Sequence, residues 1–128
     1  MAKILNIVES AYRATIEEQD DTVLWFNHML ANAGADIAVL LRGNAVNYLS
    51  KGQEVGDLRF GEAGLGNPPR IAEDVAVLRS KKGVPIYYVL EDATQRGLER
   101  SSLIDAGEPV AQADLARFVS GYDRVFHW

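Results

Sequence analysis

Cysteine is absent from this sequence. No disulfide, thiolate metal site or thiol nucleophile is therefore open to it. The absence fits a reducing compartment. Positive charge is scarce: 13 Lys and Arg stand against 18 Asp and Glu, and the net charge is −5. Lys81-Lys82 is the one basic pair. A duplex-binding surface needs several phosphate contacts, so no nucleic-acid partner is expected. Long apolar runs are missing too. None approaches the ~20 residues of a membrane span, and the run in "MAKILNIVESAYR" stops at Glu9, too short for a signal-peptide core. The chain reads as cytoplasmic, without a membrane partner.

Other familiar signatures are lacking. The two histidines, His28 and His127, lie far apart with no ligand spacing, so no metal is expected. Ser10 has no elbow glycines around it, and no Ser-His-Asp arrangement can be argued. "GEAGLGNPPR" (61–70) matches neither GxGxxG nor GxxxxGK[ST], and it does not directly follow a strand. It reads as a flexible loop ending in a Pro-started helix; such a loop can also act as a lid or order at a subunit contact. No cofactor and no catalytic residue is assigned.

What is present describes one globular domain, 1–128, with 48% hydrophobic and 24% charged residues. "KILNIV" (3–8), "DIAVLL" (36–41) and "VPIYYVL" (84–90) are apolar runs of strand length, and "RVFHW" (124–128) is a last strand. Between the first two lies a helix. Thr15 with Glu18 fits a capping box, Asp20 or Asp21 offers a later cap, and Gly34 follows the end at about Ala33. Ile16, Val23, Phe26, Leu30 and Ala33 share its sheet face; Met29 and Trp25 widen that stripe. A turn and short helix follow the second strand. Residues 53–67 read as a long loop. Asn67 caps the next helix with Pro68 at its first position, and Ile71, Val75 and Leu78 mark its buried face. Further helices are expected near Asp92 and over 112–119. His28 falls on a solvated face. Strands alternate with helices, which predicts a three-layer α/β/α sandwich with a mainly parallel sheet of about five strands, one of them unassigned.

In such a sheet ligands sit outside the carboxyl ends of the strands. That edge collects Glu9, Ser10 and Tyr12 after the first strand, Arg42 and Asn44 after the second, and Glu91 and Asp92 after the third. These seven are the candidate ligand-binding residues, for a small anionic or polar molecule. Asp92 with Gln95 also fits a simple helix cap. Arg42 fits equally an anion contact or an ion pair with Glu9 or Glu91.

The order of "AGADIAVLLRGNAV" (33–46), "KKGVPIYYV" (81–89), "TQRGL" (94–98) and "DLARFVSGYDRVFHW" (114–128) resembles the DsrE/DsrF-like family of sulfur-relay proteins. The resemblance spans nearly the whole chain. It implies a sulfur-relay protein partner and a homo-oligomer, a trimer or a hexamer. The family's sulfur-transferring members carry a cysteine just after the third strand. Here that position is Val89 or Leu90, so a persulfide role passes to no residue. The resemblance therefore implies a non-catalytic binding or scaffold subunit linked to sulfur metabolism. The alternative is a small metabolite-binding protein or enzyme using the polar strand edge. Surplus apolar residues on the first helix, with "VFHW" at the end, independently argue for a symmetric partner.

Overall fold

The structure, a computed structural model, describes residues 1–12, 20–54, 56, 59–64 and 66–128. Strands β1 (Lys3–Val8) and β2 (Asp36–Leu41) pair in parallel from Lys3↔Asp36 to Val8↔Leu41. Leu5, Val8, Val39 and Leu41 are wholly buried. Strands covered on both faces have no polar side to show, which is why these segments read as unbroken apolar runs.

Chain order continues through α1 (Thr22–Asn32), the hairpin β3 (Arg59–Phe60) and β4 (Ala63–Gly64), α2 (Ile71–Ser80), β5 (Ile86–Val89), α3 (Leu90–Gln95), β6 (Glu108–Val110), α4 (Leu115–Ser120) and β7 (Arg124–His127). A 3-10 helix, Gly43–Leu49, follows β2. The five-stranded sheet runs β6-β5-β2-β1-β7, every pair parallel. On one face α1, α2 and the 3-10 helix bury Val23, Leu24, Val75, Leu78 and Tyr48 against Val8, Val39 and Leu41. On the other, Leu115, Phe118 and Val119 of α4 cover Leu5, Ile7, Ala38, Leu40 and Val89. The chain walks from β1 outward to β6, then returns along the α4 face to β7. Travel across the sheet thus reverses between neighbours β1 and β7.

The missing fifth strand is β6, "EPV". Pro109 faces Tyr88 from the sheet edge, where a missing N–H costs little. Three residues with a central proline carry no strand signal. The expected loop 53–67 is not structureless either: it holds the β3–β4 hairpin, turned at Gly61 with φ +65°.

One expected helix cap, Asp21, is found in place, and one helix begins elsewhere than expected. The capping box Thr15–Glu18, with Ile16, lies outside the described residues. Asp21 is the cap of α1, its Oδ1 accepting from the N–H groups of Val23 and Leu24 at 2.9 Å. Asn67 caps nothing: α2 starts at Ile71 after Arg70, whose side chain makes no capping bond. Pro69 disfavours helical geometry at Pro68, which fits a helix that starts only at Ile71.

The buried face of α1 is also rotated from the expected stripe. Val23, Leu24 and Asn27 point inward, while Phe26 and Ala33 are exposed. The cause is Asn6, a polar residue wholly buried in β1. Its Nδ2 donates to Asn27 Oδ1 at 2.8 Å, and Asn27 Nδ2 donates to Val23 O at 2.8 Å. A buried amide needs partners, and satisfying this pair turns Phe26 to the rim. His28 is partly buried rather than solvated, and burial lowers its pKa, opposed by a hydrogen bond to the Asp74 main chain.

Asp74 in the first turn of α2 has its pKa raised to about 6, first by burial and then by Asp20, Glu73 and Asp21. The folded state thus favours the protonated acid. Stability is fullest below the unfolded value of 3.8 and declines as pH rises through about 6. Solvent and the helix N-terminus both soften the penalty. Asp74→Asn should therefore stabilise the fold near neutral pH by about 1 kcal/mol, and less in acid. Urea unfolding on either side of that range measures it; an equal effect at both would refute the assignment.

Candidate functional site

The carboxyl edge of the sheet gathers the expected residues, and most prove to be committed to the chain itself. Asp92 does not cap its helix. Helix α3 begins at Leu90 with Val89 in the cap position and no capping side chain. Asp92 Oδ2 instead accepts from the Gly43 N–H at 2.7 Å. Gly43 opens the 3-10 helix with φ +55°, and a Cβ there would lie 3.2 Å from Glu9 Cγ. The positive φ favours glycine, and a side chain there would also push Glu9 aside. Glu91 Oε2 accepts from the Gln112 N–H at 2.6 Å, fastening the turn after β6. Both carboxylates of "LED" thus hold turns by their amides.

Asn44 is similarly engaged. Its Oδ1 accepts from Arg96 Nε at 3.1 Å and Nη2 at 2.9 Å, while Arg96 Nη1 donates to Asp92 O at 3.0 Å. Tyr12 sits at φ +56°. Its N–H donates to the Tyr48 hydroxyl at 2.7 Å, and its own hydroxyl donates to Gln53 Oε1 at 2.7 Å. Burial raises the Tyr12 pKa. The Tyr48 hydroxyl donates in turn to buried Asp21. The N–H groups of Glu9 and Ser10 both donate to Trp128 O, at 2.9 and 3.2 Å, which ties β7 beside β1.

Of the seven, Glu9 and Arg42 bring their side chains together, and a third residue joins them. His127 Nε2 donates to Glu9 Oε2 at 2.6 Å. Glu9 Oε1 lies 3.8 Å from Arg42 Nε, an ion pair too long for a hydrogen bond. Arg42 Nε is buried and has no hydrogen-bond partner among the described residues. Strand alternation explains the convergence. Leu5 and Ile7 face α4, so Glu9 follows on that side; Ala38 and Leu40 do the same for Arg42. Ile7 is paired with His127 across the β1–β7 ladder. Sequence reasoning set His127 aside because only strand order makes it the neighbour of Glu9.

A cavity of about 470 Å³ lies elsewhere, between residues 50–54 and the start of α2, with Ile71 and Ile104 in its wall. None of the candidate residues lines it. Its cations have partners: Arg70 Nη1 lies 3.6 Å from Glu73 Oε2, and Lys51 Nζ donates to Ser101 O at 3.0 Å. Among the described residues no group of three His, Asp or Glu could hold a metal ion, and no helix is long and apolar enough to cross a membrane.

No protein-family model and no curated protein matches the chain. Solved structures do match its fold. The YchN protein of E. coli is 19% identical with a TM-score of 0.66, covering 100% of both chains. A conserved protein of unknown function from Bacteroides thetaiotaomicron, BT1422, is 10% identical with a TM-score of 0.70, covering 99% of this chain and 95% of its own. A protein of unknown function from Methanobacterium thermoautotrophicum, MTH1491, is 13% identical with a TM-score of 0.64, covering 100% of both. These likenesses establish the α/β fold over the whole chain.

Proposed function

We propose that this chain is a non-catalytic binding or scaffold subunit of the DsrE-like kind, serving sulfur metabolism in the cytoplasm. It assembles with copies of itself through α1 and β7. The observation carrying this reading is one apolar surface. Trp25, Phe26 and Met29 of α1 and Phe126 and Trp128 at the end of the chain are all exposed, and the Phe26 and Trp128 rings join the two segments edge-on at 5.9 Å. Patches of this kind mark interaction sites. All four residues of β7 are exposed at the sheet edge, where unpaired main-chain groups invite a partner. The preference for a trimer or hexamer, and for a sulfur-relay partner, rests on the motif resemblance. Sedimentation equilibrium at micromolar concentration tests the assembly; a single species of 14.1 kDa would defeat it.

The chemistry follows from the α3 start. Val89, at one candidate position for the family's cysteine, is buried against the α4 layer, and Leu90 at the other is exposed. Neither has a nucleophilic atom. Incubation with a labelled persulfide donor should leave the intact mass unchanged. A reducible gain of one sulfur would overturn the non-catalytic reading. The alternative role at the strand edge, a small polar or anionic ligand, is favoured by Arg42 Nε, which has no hydrogen-bond partner among the described residues.

A further inference from the structure

We infer that Arg42 anchors a binding site for a small hydroxyl-bearing oxyanion, of the hydrogen-phosphate or 2-hydroxycarboxylate class, between the carboxyl ends of β1, β2 and β7. The place is where the chain's travel across the sheet reverses, which in open parallel sheets leaves a crevice between helices on opposite faces. The donor is Arg42 Nε, buried and lacking an acceptor among the described residues. The Arg42 side chain as a whole is 39% exposed, so its charge is solvated, and only the covered Nε–H is left for an entering acceptor to satisfy.

Glu9 is the obvious acceptor, and His127 prevents it from serving. The ring holds Glu9 Oε2 at 2.6 Å, which leaves Oε1 at 3.8 Å from the guanidinium. His127 is thus a positioning residue. Neighbouring groups are closed to a ligand: Asp92 holds Gly43, Glu91 holds Gln112, and Arg96 holds Asn44. An entering molecule meets a guanidinium donor beside a carboxylate oxygen. A guanidinium selects oxyanions. The adjacent Glu9 Oε1 repels a bare anion, yet accepts from an anion that carries its own O–H. That pairing of acceptor and donor defines the ligand class.

The test is nitrogen NMR of the arginine Nε–H groups at fixed neutral pH, titrating inorganic phosphate, lactate and propionate separately. The Arg42 signal is assigned by its loss in Arg42→Gln. Expected is a saturable shift of that signal with phosphate, with lactate or with both, and weaker binding of propionate. Phosphate alone assigns the phosphoryl class, and lactate alone the hydroxycarboxylate class. His127→Phe should free Glu9 to pair with Arg42 and weaken binding by more than about tenfold, the size of a lost charge-assisted hydrogen bond. No saturable shift with either hydroxyl-bearing anion overturns the inference. So does propionate binding as tightly as lactate, or undiminished binding in folded His127→Phe. Sedimentation reads the assembly separately, so either proposal can fail alone.

Discussion

Asp21→Ala should lower the stability of the fold by about 3 kcal/mol, combining a lost helix cap with an orphaned buried hydroxyl. Asp21 is 2% exposed, and its two oxygens do different work. Oδ1 takes the first amides of α1, and Oδ2 takes the hydroxyl of Tyr48, which is wholly buried. The same hydroxyl receives the Tyr12 N–H, so one carboxylate joins the segment after β1, the start of α1 and the 3-10 helix after β2. Removing it leaves the Tyr48 O–H without an acceptor in the core. Urea unfolding measures the loss, with Asp20→Ala at the exposed neighbouring position as control. Equal midpoints for the two variants would refute the network.

A pH signature goes with it. Burial, then the hydrogen bond and charge of Asp21, raise the Tyr48 pKa well above its ordinary 10.0. The folded state therefore holds the phenol proton more tightly than the unfolded chain does. Stability is intact below about pH 10 and falls above it, as the unfolded state begins to lose protons. Tyr48→Phe should flatten that alkaline decline while lowering stability near neutral pH, because Asp21 loses a donor.

The second large effect is on mass. Trp25→Glu combined with Phe126→Glu should turn an oligomer into a folded species of 14.1 kDa. Trp25 is 55% and Phe126 48% exposed, so the monomer loses little by their replacement. An assembly burying the exposed half of each loses about 1.5–3 kcal/mol per copy, since a wholly exposed large side chain would give about 1.5–3 on burial. That weakens association by on the order of tenfold to a hundredfold per copy. Phe60→Glu is the control. Phe60 is 77% exposed on the β3–β4 hairpin, away from this surface, and its replacement should leave the mass unchanged. Circular dichroism confirms folding. An unaltered mass in the folded double variant would place the interface elsewhere.

Much of the candidate site was legible as position and little of it as role. Glu9, Arg42, Glu91 and Asp92 were expected at the carboxyl edge because each closely follows a readable strand. Their roles depended on partners far along the chain. Asp92 looked like a cap since Gln95 follows at the right spacing, yet the nearest orphan amide is at Gly43, 49 residues away. Glu91 seemed free because its acceptor role needs Gln112, beyond a strand that carried no signal. His127 became a site residue only when β7 was laid beside β1.

By itself the sequence determined the fold class, the four readable strands and the edge on which polar groups collect. It also excluded thiol chemistry. These are local or compositional properties: apolar runs, glycine and proline punctuation, and the absence of one residue type. The tertiary structure alone decided the outward turn of Phe26, because a buried Asn6 demanded Asn27. It likewise decided the place of β6 and the separation of Glu9 from Arg42 by His127. Such outcomes depend on which distant donors and acceptors meet, and hydrogen bonds across a sheet are set by strand order and register, which no local pattern encodes.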